Sequence, residues 1–183
     1  MAEVGSWPPF ETRERRHVWK GYVMISRGCI VSDTHWYSPS SMPDFLYDVI
    51  SGCDFVVHAG DWTDPDVVNV FSSLSVLYGV SGNCDWALPG SLPDSMEFEV
   101  GGLRVGLTHG RRRGASVLTD LSRLFPDCGL VIFGHSHVPF NGRVGGTVFF
   151  NPGSLSLPRG GNAPSYGLCE ISDGEFSVRH VFL

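Results

Sequence analysis

The amino-acid sequence predicts an α/β sandwich in which two β-sheets pack face to face, with helices on the outside. In the first half of the chain, short apolar runs alternate with helix-like segments in the order βαβαβ. The second half is rich in strand-like segments and contains one helix-like segment. This combination is typical of sheets and helices that pack in layers around shared cores.

The elements of the first half follow one another closely. Three apolar runs predict strands, at 29–32, 55–59 and 76–80. Residues 44–50 and 66–74 have the pattern of helices. Asp64 is a suitable N-cap for the second helix, and Pro65 is suited to its first turn.

Turn residues mark two hairpins in the second half. Residues 96–109 contain two strand-like runs around Gly101-Gly102, and residues 170–183 contain two around Asp173-Gly174. The segments between them predict a helix at 115–125 and strands at 130–133 and 147–150.

Residues 1–23 differ in composition from the rest of the chain. Pro8 and Pro9 are followed by the polar stretch ETRERRHVWK, which has no sustained apolar period. We expect an N-terminal extension over residues 1–23, a candidate for disorder, and a single domain over residues 24–183.

The composition excludes several classes of protein. Asp and Glu number 19 against 13 Lys and Arg, a net charge of −6, which argues against nucleic acid as a strong partner. No apolar run approaches the roughly 20 residues that cross a bilayer, and residues 1–20 lack a signal-peptide pattern. The 5 cysteines are scattered without a CxxC pair, as is typical of free thiols in a reducing compartment. We therefore expect a cytoplasmic protein with no membrane partner.

Five of the predicted strands are each followed by Asp, His or Asn. These residues are Asp33 and His35, then Asp61, then Asn83, then His109, and finally His135 and His137. Ligands bind beyond the carboxyl ends of strands in open α/β sheets, so the five loops are expected to converge. Residues two apart on an extended chain face the same way, which would pair Asp33 with His35 and His135 with His137.

The types of these side chains predict a metal site. Carboxylate, amide oxygen and imidazole together suit hard to borderline divalent metals rather than a thiolate zinc cluster. The set is larger than one tetrahedral site needs, so two metals that share a bridging carboxylate fit it best. Two divalent ions about 3.5–4 Å apart can hold a hydroxide nucleophile and clamp a phosphoryl group. Phosphoester hydrolysis is the reaction that this set suits best.

Six sequence blocks resemble those of the calcineurin-like metallophosphoesterase superfamily, and within it those of the small YfcE-like phosphodiesterases. In order, the blocks are SDTH at 32–35, HAGDWTD at 58–64, SGNCD at 81–85, LTHG at 107–110, FGHSH at 133–137 and NPGS at 151–154. The resemblance runs from about residue 24 to the C-terminus. It implies a four-layer αββα sandwich with two mixed β-sheets flanked by helices.

The resemblance also implies a dinuclear site and a mechanism. One metal would be bound by Asp33, His35, Asp61 and His137, and the second by Asp61, Asn83, His109 and His135, with Asp61 as the bridge. A metal-bridging hydroxide would attack phosphorus. Mn²⁺ is the first choice of metal, with Ni²⁺, Fe, Zn²⁺ and Mg²⁺ as alternatives. The resemblance implies catalytic roles for Asn83, Cys84 and His109.

Two positions depart from the superfamily pattern. Cys84 stands where most members have a His that contacts the phosphate. A thiol titrates near pH ~8.5, so it can donate a proton at neutral pH but is a poorer partner for phosphate charge. This favours diesters with good leaving groups, although Cys84 as a packing residue is an alternative. Arg111 follows LTHG where a second His is common, and residues 111–113 either contact substrate phosphate or form a solvated loop.

Three classes of function follow. The first is a metal-dependent phosphodiesterase acting on a small phosphoester. The second is a phosphomonoesterase or nucleotidase at the same site. The third is a non-catalytic scaffold similar to the retromer subunit, against which the complete set of metal ligands argues.

The remaining residues of interest have simpler interpretations. We expect His58 to be buried and hydrogen-bonded near the site, and His17 and His180 to lie on the surface. NPGS predicts a turn at the site rim, and Asp64 and Asp85 predict caps or turns, or residues that orient a ligand. Four aromatic residues near the motifs predict an apolar rim for a base, an aryl group or a second copy of the chain in a homo-oligomer, namely Trp36, Tyr37, Trp62 and Trp86.

Overall fold

The computed structural model describes residues 24–86, 88, 92–110 and 117–183. The proposed extension at 1–23 and the arginines at 111–113 lie outside these ranges. The helices are α1 (Asp44–Ser51), α2 (Pro65–Leu74) and α3 (Val117–Leu124), with a short 3-10 turn at Pro39–Ser41. The strands are β1 (Ser26–Val31), β2 (Phe55–His58), β3 (Val76–Gly79), β4 (Ser95–Val100), β5 (Leu103–Thr108), β6 (Leu130–Ile132), β7 (Phe140–Val144), β8 (Thr147–Asn151), β9 (Ser165–Ser172) and β10 (Glu175–Phe182).

The strands form two five-stranded mixed sheets. The first has the order β10-β9-β1-β2-β3. In it β1, β2 and β3 are parallel to one another, and β9 is antiparallel to both of its neighbours, β1 and β10. The second has the order β4-β5-β6-β8-β7, in which β5, β6 and β8 are parallel and the edge strands β4 and β7 are antiparallel. The predicted pair of mixed sheets is therefore confirmed.

Alternation along the strands creates a core on each side of both sheets. In β1, Cys29 and Val31 belong to the core beneath α1 and α2, whereas Ile30 belongs to the core between the sheets. In β6, Ile132 faces that central core and Val131 packs in the core that α3 covers. The four-layer αββα arrangement is thus confirmed. None of the helices in the described ranges is long and apolar enough to cross a membrane.

The predicted elements are found with ends shifted by a few residues, but two strands depart from the prediction. β9 begins at Ser165, several residues before the predicted hairpin, and β7 was not predicted. The sequence of β7, FNGRV, contains Asn141 and Gly142 and is largely exposed, so it has no apolar alternation. It forms because it pairs with the buried strand β8 across a turn at Gly145 and Gly146. Residues 115–116 of the third predicted helix lie outside the described ranges.

Candidate metal centre

Backbone hydrogen bonds join the loop after β1 to the loop after β2, and the loop after β5 to the loop after β6. The N–H groups of Asp33 and His35 donate to the carbonyls of Gly60 (2.9 Å) and Asp61 (3.0 Å). The loops of the second sheet are joined in the same way, because the Gly134 N–H donates to the His109 carbonyl at 3.0 Å. Between the sheets, the His135 N–H donates to Asp33 Oδ2 at 3.0 Å. The carboxyl ends of strands from both sheets therefore converge, as the sequence predicted.

Most of the predicted ligands have a left-handed backbone. The φ angles are 52° at Asp33, 46° at His35, 59° at Asp61, 69° at His135 and 59° at His137. The expectation that two of these pairs lie on extended chain is therefore wrong, because the chain has already turned out of the strand. Non-glycine residues rarely adopt this conformation, and such strain concentrates at functional sites.

Four of the predicted ligands form a compact cluster. One potential donor atom each of Asp33, His35, Asp61 and His137 lies within 4.8 Å of the others. Asp33 Oδ1 and His35 Nε2 both lie 3.3 Å from His137 Nε2. His35 Nε2 is 3.5 Å from Asp61 Oδ2. These are the four residues that the resemblance implies for one metal.

A second cluster shares Asp61 with the first. His109 Nε2 is 3.4 Å from Asp61 Oδ2, the same oxygen that faces His35. Asn83 Oδ1 lies 3.1 Å from His109 Nε2 and 2.8 Å from His135 Nδ1. The structure thus brings all the predicted ligands together in two sets, with one carboxylate oxygen between them.

Hydrogen bonds outside the clusters orient two of the imidazoles. Nδ1 of His137 lies 2.7 Å from the Leu157 carbonyl, and Nδ1 of His109 lies 2.7 Å from the Ala59 carbonyl. A carbonyl only accepts, so Nδ1 carries the proton in both rings. The Nε2 atoms therefore face the clusters and are the atoms that would coordinate a metal, which is the arrangement of metal-ligating histidines.

The environment of the Asp33 carboxylate shows that the first cluster suits a cation. Its Oδ2 accepts from the Ser32 hydroxyl (2.7 Å) and the His135 N–H (3.0 Å). Its buried Oδ1 has no hydrogen-bond partner among the described residues. Burial raises the pKa of Asp33 to about 6, against the opposing charge of His109. A buried carboxylate oxygen without a donor, facing imidazole lone pairs, fits a metal ion.

The pKa of Asp61 and that of His109 are coupled across the second cluster. Burial alone would raise the pKa of Asp61, but the hydrogen bond and charge of His109 lower it well below its usual range. For His109, burial is outweighed by the carboxylates of Asp61 and Asp33, so its pKa is raised. The electrostatic field here therefore favours positive charge between these groups.

Cys84 contacts two of the predicted ligands. Its N–H donates to Asp61 Oδ1 at 2.7 Å, and its sulfur accepts from Asn83 Nδ2 at 3.2 Å. Burial and the charge of Asp61 raise the pKa of Cys84 to about 11, so the thiol is protonated at neutral pH. The other cysteines are free and buried.

Of the two roles predicted for Asp85, a cap or turn and a residue that orients a ligand, its contacts support the second, because it bonds the backbone of Asp61. This buried carboxylate accepts four backbone N–H groups: those of Asp61 (3.0 Å), Trp62 (2.7 Å), Thr63 (2.9 Å) and Gly82 (2.7 Å). The other predicted cap, Asp64, accepts from the Asp66 N–H at 2.7 Å at the start of α2.

Gly82 and Gly134 allow close approach within the centre. A Cβ at Gly82 would overlap Asp61 Oδ1 and the Asp61 backbone nitrogen, and one at Gly134 would overlap the Ser32 hydroxyl. The loops can converge only because both positions lack a side chain.

The NPGS block does more than form a turn. Asn151 ends β8, and its Nδ2 donates to the Gly134 carbonyl at 2.8 Å and to the Ser136 hydroxyl at 3.1 Å. The Ser154 hydroxyl donates to the Asp33 carbonyl at 2.7 Å. This block therefore positions the loops of Asp33 and His135. Its position after a buried strand, like that of the ligand blocks, was the signal in the sequence.

The two described histidines outside the ligand sets have different environments. His58 is buried as expected, accepts from the Gly60 N–H at 3.1 Å, and lies 3.0 Å from the Thr34 hydroxyl. The surface position predicted for His180 is wrong. Its ring is half-buried because it stacks on Phe150 at 4.4 Å and donates to the Asn151 carbonyl at 2.7 Å. His17 lies outside the described residues.

The predicted aromatic rim is only half correct. Trp36 and Trp62 are 5% and 0% exposed and pack in the core beneath α1 and α2, so they cannot line a rim. Tyr37 and Trp86 are 78% and 86% exposed, on the loops that carry His35 and Asn83.

An αββα sandwich with a cluster of potential metal ligands at converging strand ends is the architecture of the metallophosphoesterase class. The profile of the calcineurin-like phosphoesterase superfamily domain matches residues 27–174. The chain belongs to this superfamily, whose members are metal-dependent phosphoesterases.

Two relatives illustrate the range of the family. The chain is 34% identical over 133 residues to a probable metallophosphoesterase of Methanothermobacter thermautotrophicus, covering 71% of this chain and 77% of the relative. It is 39% identical over 67 residues to phosphodiesterase YfcE of Escherichia coli K12, covering 37% of this chain and 34% of YfcE. The solved structure of YfcE has a TM-score of 0.62 at 24% identity, over 85% of this chain and 98% of that chain.

Vacuolar protein sorting 29 from Cryptosporidium parvum has a TM-score of 0.70 at 20% identity, over 87% of this chain and 98% of that chain. At this level of identity, the likeness to that protein concerns the fold alone.

Proposed function

We propose that the protein is a phosphodiesterase that uses two divalent metal ions. The observation that carries this proposal is the position of Asp61 Oδ2, which lies 3.5 Å from His35 Nε2 and 3.4 Å from His109 Nε2. A carboxylate oxygen between two sets of nitrogen and oxygen donors suits a bridging ligand. One metal would be held by Asp33, His35, Asp61 and His137, and the other by Asp61, Asn83, His109 and His135.

When bound, such ions supply Lewis acidity toward phosphoryl oxygens and lower the pKa of water to produce a nucleophile. The chain contributes a preorganised set of donors. The left-handed residues and the hydrogen bonds to His109 and His137 hold the Nε2 atoms and carboxylate oxygens toward the clusters before any ion arrives. Mixed oxygen and nitrogen donors suit Mn²⁺, which is the metal we propose for the test.

Cys84 supports a diester rather than a monoester as substrate. Its thiol is protonated at neutral pH and therefore neutral, where an imidazolium would carry positive charge. A neutral donor stabilises the two charges of a monoester less well than the single charge of a diester. It can still give a proton to a good leaving group. The relative YfcE is a phosphodiesterase by name, which is consistent with this choice.

Hydrolysis of matched chromogenic substrates tests the proposal. The metal-free protein is reloaded with Mn²⁺ and assayed on bis-p-nitrophenyl phosphate and p-nitrophenyl phosphate. We expect Mn²⁺-dependent hydrolysis with kcat/KM higher for the diester. Asp61→Asn and His135→Ala should each lower the rate by about 100-fold or more, because each removes a metal ligand.

Asp64→Asn is the matched control. Asp64 lies in the same loop as Asp61 but caps α2, and Asn is an equally good N-cap. It should hydrolyse at the wild-type rate. A strong preference for the monoester would instead indicate a phosphomonoesterase or nucleotidase. Absence of hydrolysis on both substrates would favour a non-catalytic scaffold, and full activity of Asp61→Asn would refute the site.

A further inference from the structure

Arg159 lies directly beside the first cluster, with its backbone held on both sides. Its N–H donates to the carbonyl of His137 at 3.1 Å. Its own carbonyl accepts from the Asn162 N–H at 3.3 Å and from Asn162 Nδ2 at 2.7 Å. The Arg159 backbone is therefore fixed relative to His137.

The segment around Arg159 is shaped to hold this position. Gly160 and Gly161 have φ angles of 68° and 76°, which let the chain turn sharply between Arg159 and Asn162. Before Arg159, the Leu157 carbonyl accepts from Nδ1 of His137 at 2.7 Å. The same short segment thus orients the His137 ring and places an arginine next to it.

The Arg159 side chain is exposed. Arg27, Arg104 and Arg123 each lie within 4.0 Å of a carboxylate, but within the described residues no carboxylate lies that close to Arg159. An arginine without a carboxylate partner in this part of the chain is therefore bonded through its backbone to one of the predicted ligands, His137.

We propose that Arg159 is a substrate-binding residue whose guanidinium donates hydrogen bonds to the phosphate oxygens of a phosphodiester bound at the centre. This inference rests on the proposed function. Guanidinium donates two parallel hydrogen bonds to phosphate, and an arginine without a carboxylate partner keeps all its donors available. The chain has a net charge of −6, which repels an anionic substrate. A positive charge beside the site offsets this repulsion locally.

The test compares Arg159→Gln and Arg159→Lys with a matched control. Arg143→Gln is suitable because Arg143 is another exposed arginine that lies away from the site. In the β7–β8 ladder it is opposite Val148, near the start of β8, whereas Asn151 at the site ends that strand. Two quantities are measured on Mn²⁺-loaded protein: the calorimetric Kd for inorganic phosphate and KM for bis-p-nitrophenyl phosphate. Metal content and Tm are recorded for each variant.

We expect Arg159→Gln to raise both Kd and KM about tenfold or more, the usual size of a lost hydrogen bond to a charged group. Arg159→Lys should recover part of the loss, because lysine keeps the charge but not the paired donors. Metal content and Tm should match those of the wild type, and Arg143→Gln should match it in every measurement.

Wild-type Kd and KM in Arg159→Gln would overturn the proposal, as would an equal loss in Arg143→Gln or a loss of bound Mn²⁺ in Arg159→Gln. The two claims fail separately. If the wild type hydrolyses the diester but Arg159→Gln behaves identically, only the role of Arg159 is wrong. If phosphate binding depends on Arg159 but no diester is hydrolysed, the role of Arg159 in binding phosphate stands and the proposed function fails.

Discussion

At the residue scale, contacts outside the centre determine which atom of each ligand faces it. The carbonyls of Leu157 and Ala59 occupy Nδ1 of His137 and His109, and Ser32 occupies one oxygen of Asp33. The remaining ring nitrogens and the second oxygen of Asp33 therefore face the clusters. Such preorganisation lowers the cost of binding a metal, because little is left to be ordered when the ion arrives.

Asp85→Asn tests how far this support extends. An amide offers one acceptor oxygen and an NH₂ group in place of a carboxylate that accepts four backbone N–H groups. The NH₂ group would face two donors. We expect a loss of about 2–4 kcal/mol in the free energy of unfolding and at least a tenfold loss in Mn²⁺ affinity. Urea denaturation in EDTA and a Mn²⁺ titration measure the two effects, with Asp64→Asn as the control. Wild-type values in both would show that Asp85 does not position the loop.

The ligands could be predicted from the sequence, but the residues that support them could only be predicted in part. Each ligand follows an apolar run in the chain, so a local pattern reveals it. The role of Asn151 depends on its contact with Gly134, and that of Arg159 on its contact with His137. Contacts between distant segments are set by sheet packing, which leaves no local pattern.

At the element scale, the parallel strands of both sheets deliver the ligands and antiparallel strands complete the sheets. The buried strands were predictable because their apolar runs are continuous or alternate. The edge strand β7 was not, because its partner β8 and the glycine turn define it rather than its own side chains. The error at His180 has a similar origin. β10 alternates between a covered and an exposed face, and the ring lies on the covered face against Phe150 of the other sheet.

His180 predicts a pH dependence of stability. Burial lowers its pKa in the folded chain below the ordinary 6.5, against the opposing hydrogen bond to Asn151. Below about pH 6.5, His180 therefore binds a proton more readily in the unfolded chain than in the folded chain. The free energy of unfolding decreases as the pH falls through this range. His180→Gln keeps a donor for the Asn151 carbonyl but does not titrate in this range. Between pH 7.5 and 5 in EDTA, we expect the free energy of unfolding to fall less in His180→Gln than in the wild type. Identical slopes of urea stability against pH would contradict this role.

At the scale of the whole molecule, the centre lies where the two sheets meet. In the first ligand set, Asp33, His35 and Asp61 follow strands of the first sheet and His137 follows a strand of the second. The other set likewise combines the two sheets, since Asp61 and Asn83 belong to the first and His109 and His135 to the second. Bound metals would therefore connect the sheets, and the loops would be more stable with metal than without it.

We propose that this junction of the sheets holds two divalent ions through the shared carboxylate of Asp61. Calorimetric titration of the metal-free chain with Mn²⁺ tests it most directly. We expect the wild-type chain to bind two ions, and Asp61→Asn to lose high-affinity binding of both because both share that ligand. A wild-type stoichiometry of zero or one, or unchanged binding in Asp61→Asn, would contradict it.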